Sequence, residues 1–182
     1  SYNKTLAKKY WEKGLKQLGV SKLKVGLLSD DDDSSKPTAA FIQSKWESLL
    51  PGLSVDVQSI PKAVRISRSE KGNFDIVISG WGADFSDPIT FLNLYQAGNS
   101  GNAGGYDNSS YNKLIDDINN NPSNNEVVRW DNMVKAEKIL MNDQVMIPLY
   151  QRSNSFLQSN KIKDLIVNTA GPAHNYKGVY LK

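Results

Sequence analysis

The chain has 182 residues, 39% of them hydrophobic and 23% charged, a composition that fits a globular protein long enough to bury a sizeable core. Its 22 basic and 19 acidic residues leave a formal net charge of +3, but the arginines are few (Arg65, Arg68, Arg129, Arg152) and the lysines are scattered, which argues against a nucleic-acid-binding face. Cysteine is absent, which excludes thiol catalysis, cysteine-ligated zinc and disulfides, and no apolar run approaches the ~20 residues a membrane-crossing helix needs.

Ala7, Trp11, Leu15 and Leu18 recur at helical spacing, so residues 5–18 are expected to form a helix that Gly19 closes. "LKVGLL" (23–28) reads as a short buried strand. Pro37 near the start of an Ala39, Ile42, Trp46, Leu49 stripe then marks a second helix. "SVDVQSI" (54–60) alternates as a second strand should, and "FDIVIS" (74–79) supplies a third. Strand, helix and strand joined by short links form a βαβ unit, which requires parallel neighbours. Asp87 and Pro88 look like the N-cap and first position of a short helix through Leu94, followed by a Gly/Asn loop over residues 96–108.

Tyr111, Leu114, Ile115 and Ile118 predict a further helix. Ser123 with Glu126 forms a capping box ahead of a Trp130, Met133, Ala136, Leu140 stripe. "VMIPLY" (145–150) reads as a strand that Pro148 confines to an edge or a bulge, "SNSFLQS" (153–159) as a further strand, and the pattern weakens beyond Lys161. The chain opens at "SYNKTLAKKYW", without an initiator Met or an apolar leader, and is read as a piece of something longer.

Ligands of open parallel sheets sit beyond the carboxyl ends of the strands, where loops converge. "GWGADFSDP" (80–88) occupies such an end. Gly80 and Gly82 allow close backbone approach, Trp81 offers a flat apolar wall, and Asp84 presents a carboxylate to a cation. The bland alternative, a tight turn with Asp87 capping a helix, accounts for Asp87 and Pro88 but not for Trp81 together with Asp84. The acidic run "SDDDDS" (29–34) also follows a strand and resembles the Mg²⁺ pocket of a phospho-accepting receiver, but a solvated loop explains it better, since Asp84 sits too deep in its loop to be the phospho-acceptor and no strand supplies the required Lys. Asp84 and Asp87 as a glycosidase pair rest only on their spacing. His174 is the single histidine and is read as a surface residue, and no GxGxxG, Walker A or HExxH motif occurs. The loop "NSGNAGGYDN" is read as either a flexible solvent loop or a ligand lid.

The stretch "FDIVISGWGADFSDPITFLNLY" resembles the extracellular solute-binding proteins of oligopeptide ABC importers (family 5), in which an apolar strand runs into Gly-Trp-x-Ala-Asp-aromatic, an acid-Pro pair and a short helix. "LAKKYWEKGLKQLGV", "GYDNSSYNKLID" and "VMIPLYQRSNSFLQSNKIKDL" are similar to other segments of that family. The resemblance implies an α/β, periplasmic-binding-protein-like lobe with a mixed, mostly parallel sheet flanked by helices. It further implies that residues 1–182 form a single lobe, the C-terminal large lobe of a longer two-lobe receptor. That receptor would be a monomeric, lipid-anchored protein on the extracellular face of a bacterial membrane, with no enzymatic activity, cofactor or metal. It would pass oligopeptides to ABC permease subunits. By the same resemblance, Asp84 pairs with the α-ammonium of a bound peptide, Gly80 and Gly82 offer backbone groups in β-strand fashion, and Trp81 packs beside the guest. A lone lobe holding half a cleft is expected to bind peptide weakly. The alternative is the receiver built on the acidic run.

Overall fold

Buried apolar residues on helices and strands gather into two compact units, residues 1–80 and 81–182, each with its own core. The structure, a computed structural model, describes residues 3–121, 123, 125–153 and 155–182.

In the first unit, helix α1 (Lys4–Leu18) is capped by the Asn3 side chain, which accepts from Leu6 N–H at 2.9 Å. It ends at Gly19, whose φ of 69° is the left-handed conformation that glycine adopts without a Cβ penalty. Strand β1 (Leu23–Asp30), helix α2 (Ser35–Leu49) and strand β2 (Leu53–Ile60) form the expected βαβ unit. β1 pairs in parallel with β2 from Leu23↔Leu53 to Asp30↔Ile60, and on its other side with β3 (Ile76–Val77). The sheet order β2-β1-β3 puts β1 at the centre. Covered on both faces, it buries Leu27, Leu28 and Ser29 in succession rather than alternately. Leu27, Ala39, Ile42 and Val55 form the core, with Val25, Trp46, Leu53, Val57, Ile76 and Ile78 packed around them.

Two features depart from the sequence reading. β3 is two residues long rather than six, extended only by the bond from Ile78 N–H to Leu28 O at 2.8 Å. Helix α3 (Lys62–Glu70) carries no apolar stripe and was not foreseen, because the residues it buries are Arg65 and Ser69, polar side chains one helical turn apart.

In the second unit, α4 (Ile89–Leu92) continues into a 3₁₀ turn (Asn93–Tyr95). Helices α5 (Ser109–Asn120) and α6 (Glu126–Asn142) pack Tyr111, Ile115, Ile118, Met133, Ala136 and Leu140 against Ile89 and Leu92. Tyr111 is fully buried, and its hydroxyl donates to Leu92 O at 2.6 Å, so its one polar atom is satisfied. The cap of α6 is Asn125, which accepts from Val128 N–H, and not the expected Ser123; Trp130 lies on the solvent side, 56% exposed. The inward position near it is Asn132, whose amide donates to Asp117 at 2.7 Å.

The Gly/Asn loop is knitted rather than loose. The Asn102 side chain donates to Gln96 O and Tyr106 O and accepts from Tyr106 N–H, which closes the loop with one residue. Gln96 and Ala97 are tied to Asp116 and Asn112 of α5. Burial, the hydrogen bond to Asp143 and that carboxylate's charge push the Tyr106 phenol up to about 12.

Residues 145–150 form no strand. A strand needs a partner, none is present among the described residues, and Ile147, Leu149 and Tyr150 stay exposed. Of the stretch 153–159, Asn154 lies outside the described residues and the others form no strand. The weakly patterned tail forms two antiparallel ribbons, β4 (Ile162–Lys163) with β7 (Tyr180–Leu181) and β5 (Ile166–Val167) with β6 (His174–Asn175). His174 is half-buried, edge-on to Phe156 and stacked on Tyr176.

Candidate functional site

The stretch singled out in the sequence begins where the chain leaves the parallel sheet. Ser79 and Gly80 end the first unit, and Gly80 is exposed with open space where a side chain would stand. In the second unit, Trp81, Gly82 and Asp84 precede α4. Gly82 is also exposed and open, and Trp81 is 50% exposed.

The hydroxyl of buried Thr90 holds this segment. It accepts from the Trp81 indole Nε1–H at 3.4 Å and from Asp84 N–H at 3.3 Å, setting both the ring and the backbone from one atom. From the far end of the chain, Gly171 N–H donates to Ala83 O at 2.8 Å. Gly171 has a φ of 71°, and a Cβ there would stand 3.0 Å from Asp84 O, so position 171 requires glycine both for conformation and for approach.

The two carboxylates of the motif have different fates. Asp87 Oδ1 accepts from Ile89 N–H at 2.9 Å, the capping role expected of it, although Pro88 rather than Asp87 immediately precedes the helix. Its Oδ2 accepts from Arg129 Nη1 of α6 at 2.7 Å. Asp84 is exposed, and its carboxylate makes no hydrogen bond or ion pair among the described residues. An acid that is neither capping, nor paired, nor buried, on a backbone pinned at two points, is available to a cation from outside.

Desolvation raises the Asp87 carboxyl, but the Arg129 hydrogen bond, the Ile89 N–H and the Arg129 charge outweigh it and hold the group below its usual value. A depressed folded-state value contributes stability that is fully present above the ordinary carboxylate range and is lost as pH falls through the folded value. Asp87→Asn is therefore expected to be less stable than wild type near neutrality, with the gap shrinking as pH falls below the ordinary carboxylate range. Urea midpoints measured across that range check this, and a gap independent of pH would sink it.

The acidic run is a helix cap. Asp32 Oδ1 accepts from Ser34 and Ser35 N–H and from Ser34 Oγ, and Oδ2 from Ser35 Oγ, at 2.6–2.9 Å. These hydrogen bonds hold its carboxyl far below the usual range. Asp30 is committed to Arg65, and the described acidic residues nowhere converge as a metal-holding group. A polar depression of about 340 Å³ in the first unit, lined by Gly26, Gln58, Arg68 and Asp75 among others, is a gap in the ladder beside short β3. There the Asp75 carboxylate accepts from Gly26 N–H at 2.8 Å, in place of a strand.

Contiguity made Gly80, Trp81, Gly82 and Asp84 visible in the sequence. Thr90, Arg129 and Gly171 were missed. Thr90 lies within the same motif and is recoverable from it, whereas nothing local marks Arg129 or Gly171.

A three-stranded parallel sheet covered by helices, with the singled-out loop leaving its carboxyl edge, places the chain among periplasmic-binding-protein-like α/β folds. The sequence pattern of the bacterial extracellular solute-binding proteins, family 5 Middle, matches residues 1–103, and the chain belongs to that family. It is 36% identical over its whole length to the dipeptide-binding protein of Lactococcus lactis subsp. cremoris, of which it covers 34%. To the oligopeptide-binding protein OppA of Bacillus subtilis it is 30% identical over 97% of its length, covering 32% of that protein. The solved structure of Listeria monocytogenes OppA bound to peptide matches it with a TM-score of 0.87 at 39% identity, over 99% of this chain and 34% of that one. The chain thus spans about a third of the length of these relatives. Family membership, with the cap at Asp32 and the ion pair at Asp30, overturns the receiver alternative.

Proposed function

We propose that this chain is one lobe of the substrate-binding component of an oligopeptide ABC importer, a receptor that catalyses no reaction and hands captured peptides to membrane permease subunits. The family, and peptide-binding relatives similar to the chain along its whole length, support this reading. The observation that carries it is the contrast between two neighbouring acids: Asp87 is consumed by Arg129 and a helix cap, while Asp84 is left open on a fixed backbone.

Every linear peptide has one α-ammonium, so a single carboxylate recognises the class without reading its side chains. The exposed backbone of Gly80 and Gly82 lets an extended peptide approach within main-chain hydrogen-bonding distance, a contact equally indifferent to side chains. Trp81 packs beside the guest. The receptor sits lipid-anchored at the extracellular face, where such peptides arrive.

Calorimetry of the full-length receptor against free and N-acetylated forms of the same peptides tests the proposal. Free peptides are expected to bind, and acetylation is expected to weaken binding at least about tenfold, as removal of a charged partner should. Equal affinity for both forms would remove Asp84 from its role, and no binding of either would remove the peptide.

A further inference from the structure

We propose that Ser79 is a positioning residue for ligand capture, held by the part-buried Asp30–Arg65 pair so that the backbone of Gly80 is presented to the ligand rather than used in the sheet. The inference rests on the peptide-binding reading above.

The register of β1 with β3 runs Leu27↔Ile76 and Leu28↔Val77. Continued by two residues it would set Asp30 beside Ser79. The ladder stops short: Ile78 N–H makes the last bond, to Leu28 O, and Ser79 and Gly80 make no backbone hydrogen bond among the described residues. A side chain bridges the gap instead. Arg65, 7% exposed in α3, donates from Nε to Asp30 Oδ1 at 2.8 Å and from Nη2 to Asp30 Oδ2 at 3.4 Å, and its Nη1 donates to Ser79 Oγ at 3.3 Å. Arg65 projects from α3, within which Ser69 Oγ of the next turn donates to Arg65 O at 2.9 Å.

This brace ties the ends of β1 and β3 to α3 without spending a backbone group. A continued ladder would pin the chain equally well but would consume main-chain donors and acceptors that an extended ligand needs. Gly80 is therefore held near the sheet with its N–H and C=O unused, and its surroundings clear, among the described residues. Ser79 is exposed, so trimming it opens no cavity.

In the full-length receptor, Ser79→Ala is expected to weaken free and N-acetylated peptides by the same factor. That factor is about two- to tenfold, the range of one hydrogen bond. The thermal midpoint is expected to stay near wild type, as for other surface substitutions, and Ser79→Thr, which keeps the hydroxyl, is expected to restore affinity. Wild-type affinity in Ser79→Ala, or a loss that Thr does not restore, overturns the brace while leaving the peptide reading intact. A wild-type receptor that binds neither peptide overturns the underlying reading instead.

Discussion

Arg65→Ala is expected to destabilise the fold by about 3–5 kcal/mol, because it strands a carboxylate that the native structure has taken out of water. The side chains of Arg65 and Asp30 are only 8% and 14% exposed and meet at 2.8 Å. Removing the guanidinium leaves Asp30 with its desolvation cost and no compensating charge. Lys24 and Asp56 provide the control, at 3.5 Å with side chains 69% and 48% exposed. Solvent screens such a pair, and its loss should cost about 1 kcal/mol or less. Urea unfolding of the two variants separates the cases, and the double variant Asp30→Ala/Arg65→Ala should recover part of the loss, since no charge is then left unpaired. Equal costs for Arg65→Ala and Lys24→Ala would mean that water reaches Asp30 freely.

Asp84→Ala in the full-length receptor is expected to cost about 2–5 kcal/mol of peptide affinity, the usual effect of truncating one partner of a covered charge pair. The acid is exposed in the structure, so the cover must come from the bound peptide and what closes over it, and the size of the loss reports how completely water is excluded. N-acetylated peptide completes a double cycle. With the ammonium already gone, Asp84→Ala should change its affinity little. A comparable loss for both peptides would show that Asp84 acts through the shape of the loop and not through its charge. Asp87→Ala is expected to behave in that second way, because its carboxylate is occupied by Arg129 and Ile89 N–H.

Short-range regularities were the legible ones. Apolar spacing gave α1, α2, α5 and α6 to within a few residues, because each lays a periodic stripe toward a core or ends at a recognisable residue such as Gly19. The same logic failed at α3, whose inward face is Arg65 and Ser69, and at Trp130, which continues the α6 stripe yet stays in solvent. It also failed over 145–150, where an apolar run supplies strand propensity but no partner for its backbone.

By itself the sequence determined that an apolar strand runs into Gly80, Trp81, Gly82 and Asp84, since those residues are neighbours along the backbone and their chemistry needs nothing distant to be read. Only the tertiary structure decided which acid is free. Arg129 stands 42 positions from Asp87 and could have faced either carboxylate, and Thr90 and Gly171 hold the loop through contacts that close only on folding. Covalent spacing sets what a segment offers. Which of its polar groups remain unpaired depends on partners brought from elsewhere in the chain, whose energies depend on burial and angle and leave no periodic trace in the sequence.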